Sequence, residues 1–101
     1  MAERSVWGVV SPKGEILSGT GFLVDHANTG IYTILFKDPF NVVPAVSVTQ
    51  IYPNDIHNHT GGDTRDNAVL IGIVNDRFKV KTGQSNGSAE NRNFSFIAIG
   101  I

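Results

Sequence analysis

The chain contains no cysteine, which excludes both a disulfide framework and a thiolate zinc site. It also lacks an excess of either charge: eight basic and nine acidic residues, interleaved along the sequence, leave a formal net charge of −1. Without a positive field there is no driving force for phosphate-backbone binding, and nucleic acid is not an expected partner. No apolar run approaches the roughly 18 residues that cross a bilayer, so membrane insertion is not expected. Nor does any long stretch free of Gly and Pro carry a 3.6-residue apolar period, which argues against a long helix. The start, Met1-Ala2-Glu3-Arg4-Ser5-Val6-Trp7, has none of the basic, apolar and small-residue regions of a cleavable signal peptide. A soluble chain without a leader is expected, and no segment specifies a compartment.

What the chain does have is strand signal. Its 101 residues, 41% of them apolar, suit a single domain over 1–101 with one core. Eleven glycines and four prolines divide it into short runs rich in Val, Ile, Phe and Thr, the residues that strands favour. These runs predict strands at about 6–10, 21–25, 31–36, 45–51, 67–74, 78–82 and 94–100, with a short piece at 15–18 extending the first hairpin. Pro12-Lys13-Gly14, Asn28-Thr29-Gly30 and Asn75-Asp76 read as the turns between them. Alternation assigns the faces. Tyr32, Ile34 and Phe36 share one side of their strand, and Phe78 and Val80 point away from Arg77, Lys79 and Lys81. One wet face per strand is the pattern of an antiparallel sheet. The expected fold is therefore all-β, a two-layer antiparallel β-sandwich of jelly-roll type with about six to seven strands; a closed small barrel is the alternative. The predicted core comprises Phe22, Val24, Tyr32, Ile34, Phe36, Val46, Val48, Phe78, Val80 and Phe96. Leu70, Val74, Ile97 and Ile99 fall on the other faces without obvious cover, which makes a homo-oligomer an expectation.

The order of the strand motifs resembles a known family. Phe40-x-x-x-Pro44-x-Val46-x-Val48 is followed by a polar loop and then by an apolar strand ending in Asn75-Asp76. Arg77-Phe78-Lys79-Val80 comes next, and Phe94-Ser95-Phe96-Ile97-Ala98-Ile99-Gly100 closes the chain. This order resembles the H-type lectin domain. With Gly19-Thr20-Gly21-Phe22-Leu23-Val24 and Gly30-Ile31-Tyr32-Thr33-Ile34-Leu35-Phe36, it also looks like the small β-sandwich modules at the tips of phage tail fibres. The resemblance covers about residues 19–101 and lies in core-strand positions. It implies a sandwich that binds N-acetylgalactosamine-type sugars and assembles as a trimer. The sugar sites of those lectins use an acidic residue, an Arg and ring side chains. Here Val69 stands about where that Arg would lie, and Phe96 occupies the aromatic position before the final Ile-Ala.

Two polar loops, 53–66 and 83–93, are long enough to suggest function. In the first, Asp55, His57 and His59 are candidate metal ligands, since i and i+2 side chains share a face in extended chain and imidazole suits transition metals. The competing reading is a solvated loop. Asp63, Arg65 and Asp66 are candidate ligand-binding residues, against the plainer reading of an acidic turn with Arg65 paired locally. In the second loop Glu90, Asn91 and Arg92 offer hydrogen-bonding groups for sugar hydroxyls, and an Arg fork suits a carboxylate such as that of sialic acid. Trp7 is either a stacking platform or a core or edge-cover residue. No constellation supports catalysis. A cysteine nucleophile and a Gly-x-Ser-x-Gly elbow are both missing, and Gly19-Thr20-Gly21 opens no helix that could hold phosphate. The expected function is non-catalytic binding of a glycan or surface receptor through the two loops, with no cofactor. The alternative is a structural module for oligomerisation without a small-molecule ligand.

Overall fold

A computed structural model describes residues 2–52, 55–57 and 59–101. Among them are eight strands: β1 (Arg4–Val10), β2 (Ile16–Gly19), β3 (Phe22–Asn28), β4 (Ile31–Phe36), β5 (Ala45–Ile51), β6 (Asn67–Ile73), β7 (Arg77–Gly83) and β8 (Asn93–Gly100). They form two four-stranded antiparallel sheets, ordered β2-β1-β8-β5 and β3-β4-β7-β6. The all-β sandwich read from the sequence is the fold. The strand count rises to eight because the short piece after Gly14 is a strand of its own, paired to β1. No helix among the described residues is long and apolar enough to cross a membrane.

Period-2 alternation puts Val6, Gly8 and Val10 of β1 inside, together with Tyr32, Ile34 and Phe36 of β4, Phe78, Val80 and Thr82 of β7, and Phe94, Phe96 and Ala98 of β8. Every residue predicted for the core lies in it or packs against it. Aromatic rings knit the two layers. Phe96 meets Phe22 edge-on, with centroids 4.9 Å apart, and Phe78 at 5.0 Å; Phe94 meets Tyr32 at 5.0 Å. Such edge-to-face pairs add about 0.5–1.5 kcal/mol each beyond their buried area. Gly8 makes room for the central pair, since a Cβ there would overlap the Phe22 ring. Gly8→Ala should therefore destabilise the domain by about 1–2 kcal/mol, the lower range of overpacking costs. A urea denaturation midpoint unchanged from the parent would show that the ring has space to move.

One expected face is corrected. Leu70 does not point outward: it packs against the core with Ala68 and Ile73. The register between β6 and β7 shifts between Leu70 and Gly72, so that Leu70 faces Val80 and Ile73 faces Phe78. The bulge inserts one residue and inverts the parity downstream. Val69, Ile71 and Val74 are the exposed large apolar residues of this segment, and Ile97 and Ile99 are exposed as expected.

The sheets are tied at one side by Gln50 of β5. Its Nε2 donates to the carbonyls of Asn67 (2.7 Å) and Gly83 (2.8 Å), at the start of β6 and the end of β7. This brings the two long loops to the same end of the sandwich.

Candidate functional site

The loop joining β7 to β8 is held by hydrogen bonds at both flanks. The Glu90 N–H donates to the Thr82 carbonyl at 3.1 Å and the Gly87 N–H to the Gln84 carbonyl at 2.9 Å. The Thr82 hydroxyl in turn donates to the Glu90 carbonyl. Asn91 Oδ1 accepts the Gly30 N–H at 2.7 Å, fastening the loop to the β3–β4 turn. Gly30 adopts φ +72° and a Cβ there would press on the Thr82 carbonyl, so glycine is required by both conformation and space.

Arg92 is the hinge between the loops. Its side chain, only 12% exposed, reaches Asp66 Oδ2 at 3.9 Å and Gln50 Oε1 at 3.5 Å, and the guanidinium lies 4.6 Å from the Tyr52 ring centroid. Asp66, 9% exposed, also accepts the Asp63 N–H at 2.9 Å. Gly61 and Gly62 adopt positive φ against the Tyr52 ring, where any side chain at Gly61 would meet it. Residues 50, 52, 61–62, 66 and 92 thus form one polar-aromatic joint.

Beside this joint lies an open cleft of about 580 Å³, lined by Lys13, Glu15, Tyr52, Glu90, Asn91 and Arg92, with Ser11 and Pro12 at its base. The 11–15 turn is tight. Ser11 exchanges backbone hydrogen bonds with Gly14 and Glu15, and its Oγ accepts the Glu15 N–H at 3.0 Å. Tyr32 supports the turn from below, donating its hydroxyl proton to the Pro12 carbonyl at 2.8 Å while stacking on His26 at 4.1 Å. Burial pushes the Tyr32 hydroxyl above its ordinary 10.0, opposed by hydrogen bonding with the Arg92 backbone and then the Thr82 side chain. The unfolded chain therefore ionises first as pH rises. The stability held by this group is complete below about pH 10 and is lost through the folded value. Tyr32→Phe should cost about 1 kcal/mol at neutral pH, the net worth of one hydrogen bond. It should also flatten the alkaline loss of stability relative to the parent. Urea unfolding followed at neutral and alkaline pH gives both numbers; equal alkaline slopes would remove Tyr32 from the account.

The candidates named from sequence divide into three groups. Glu90, Asn91 and Arg92 line the cleft, and Asp66 holds Arg92 from behind. Asp63 and Arg65 pair locally, with Arg65 Nε and Nη2 donating to the two Asp63 carboxylate oxygens at 3.1 and 3.0 Å. The Arg65 side chain, then its backbone N–H, hold the Asp63 carboxyl below the usual carboxylate range. This pair is exposed and does not line the cleft. Asp55 accepts the His57 N–H at 2.9 Å, and His57 and His59 are exposed. Among the described residues, no three His, Cys, Asp or Glu side chains gather as a metal site. Pro53, Asn54 and Asn58 of the same loop lie outside the described residues. Trp7 is 52% exposed on the outer face of its sheet and is not part of the cleft.

Sequence reasoning read Pro12-Lys13-Gly14 only as a turn and gave neither it nor Tyr52 a place in a site. Both sit at strand ends: the 12–14 segment signals a turn and nothing more, and the one cue for Tyr52 was an aromatic at the mouth of a long polar loop. Compared with known proteins, the chain matches no family model, no curated protein and no solved structure.

Proposed function

We propose that the domain is a non-catalytic binding module, and that the cleft between the 11–15 turn and the β7–β8 loop takes a neutral, hydroxyl-rich ligand of carbohydrate type. The observation that carries this reading is the set of polar groups the fold leaves for a ligand. Among the described residues, the Lys13 and Glu15 side chains have no ion-pair or hydrogen-bond partner, and Glu90 gives only Oε1 to Gln84, at 3.2 Å. Asn91 spends its Oδ1 on Gly30, which directs the amide NH₂ elsewhere. Acceptors, donors and the rim of an aromatic ring in one cleft of this size are what sugar hydroxyls and a pyranose edge require. The guanidinium of Arg92 is already engaged by Asp66, Gln50 and Tyr52, so the fork that would favour an acidic sugar is not on offer.

The test is a chemical-shift titration with N-acetylgalactosamine, galactose, glucose and sialic acid. Shifts from neutral sugars should cluster at Lys13, Glu15, Glu90 and Asn91. Glu90→Ala should weaken binding about tenfold or more, the value of a charge-assisted hydrogen bond. A flat response across the panel would overturn the proposal and favour an assembly module without a small-molecule ligand. Strongest shifts from sialic acid would overturn the neutral-ligand reading and assign the carboxylate to the unpaired Lys13 or to a released Arg92.

A further inference from the structure

We propose that the outer face of the β2-β1-β8-β5 sheet is a contact surface between two copies of this chain, which pair through it face to face. The register defines that face. Ile99 is flanked across the strands by Ser5 and Ala45, and Ile97 by Trp7 and Ser47. The next row, running from Ser18 through Val9 to Thr49, is uncharged as well. Trp7, Ile97 and Ile99 stand 52%, 41% and 40% exposed in the middle of this surface.

The other broad face of the sandwich is unlike it. There β7 presents Arg77, Lys79 and Lys81, all exposed, with Asp25 of β3 in the same outward row as Lys79 and with Leu23, Val69 and Ile71 exposed on the flanking strands. Two copies meeting by that face would have to desolvate four charged side chains on each, three of them cations. The uncharged face meets its own copy with no like-charge contact and no buried charge to compensate. The short hydroxyls around its apolar centre act as both donors and acceptors, so they can pair with themselves across a two-fold axis. This self-complementarity selects a second copy over a charged partner, to which the face offers no opposite charge.

The size of the face sets the strength. Strands β1, β2, β5 and β8 have seven, four, seven and eight residues, so at about 3.3 Å per residue and about 4.8 Å per strand each copy contributes roughly 400 Å². A pair then buries roughly 800 Å², below the roughly 1,000 Å² of stable specific interfaces and in the range of weak, transient ones. Association is therefore weak and depends on concentration. It is independent of the ligand cleft, whose lining residues come from the loop end.

Sedimentation from low to high micromolar concentration tests this. The mass should rise to twice that of the monomer, with a blue shift of Trp7 emission as its indole is covered. Ile97→Lys and Ser47→Lys should each move the midpoint of dimerisation upward by about a hundredfold, because each buries an unpaired charge on both copies. Both should keep the β-sheet circular dichroism of the parent. Lys79→Ser, on the opposite face, should dimerise like the parent. A monomer at every concentration, an oligomer that survives both lysine variants, or a stoichiometry other than two would each overturn the proposal. Ser47→Lys, an exposed position, keeps the test decisive if Ile97→Lys does not fold.

Discussion

Phe96→Ala is expected to cost about 3–5 kcal/mol, the range for truncating a buried Phe. The ring is 4% exposed and belongs to the β1-β8 side of the sandwich, yet its partners Phe22 and Phe78 lie in the opposite sheet, 4.9 and 5.0 Å away at steep interplanar angles. Removing it leaves a cavity between the layers and deletes two edge-to-face contacts at once. The neighbours are rigid rings and strand backbones, so little collapse can fill the space. Phe96→Leu, which retains most of the volume, should lose much less. Equilibrium denaturation at constant m-value measures both; a loss under about 1 kcal/mol for the alanine variant would place Phe96 outside the core.

Arg92→Ala should follow, at about 3 kcal/mol. The guanidinium and the Asp66 carboxylate are nearly buried, and removing one member of such a pair strands the other away from water. The cost falls at the lower end of the usual range because Asp66 keeps the Asp63 N–H as a partner. The contact with Tyr52 is lost as well, along with the link from the β7–β8 loop to Gln50. Arg92→Lys should recover only part of the loss, since an ammonium carries charge but has no planar face to lay on a ring and no fork for two acceptors. Amide exchange should show the distinctive result. Protection should fall at Gly30 and in the segment 88–91, whose hydrogen bonds depend on the loop being docked, while the strands exchange as before. Uniform loss of protection across the sheets would mean that Arg92 supports the whole fold rather than the joint.

These two residues show why one part of the protein was open to reading and another was not. Phe96 could be placed from its own strand. In Phe94-Ser95-Phe96-Ile97-Ala98 the inward side is fixed by a period of two, which is a property of neighbouring residues and needs no partner. The turns at Gly14 and Gly30 were local in the same sense, since a positive φ calls for glycine wherever the chain goes next. Sheet type, strand positions and most of the core therefore followed from the sequence. The bulge at Leu70–Gly72 did not, because in a run apolar on both sides either parity looks acceptable, and only pairing with β7 chooses between them. Arg92 read as a free fork awaiting an anion. Its partners at positions 50, 52 and 66 are brought to it by the packing of two sheets and the bridge made by Gln50, which no spacing within one loop reveals. The cleft has the same origin: one wall comes from residues 11–15 and the other from 90–92, some 75 positions apart in the chain. Local periodicity determined which strands form and which way they face. The tertiary structure alone decided which loops meet, which charges are already satisfied, and where polar groups remain for a ligand.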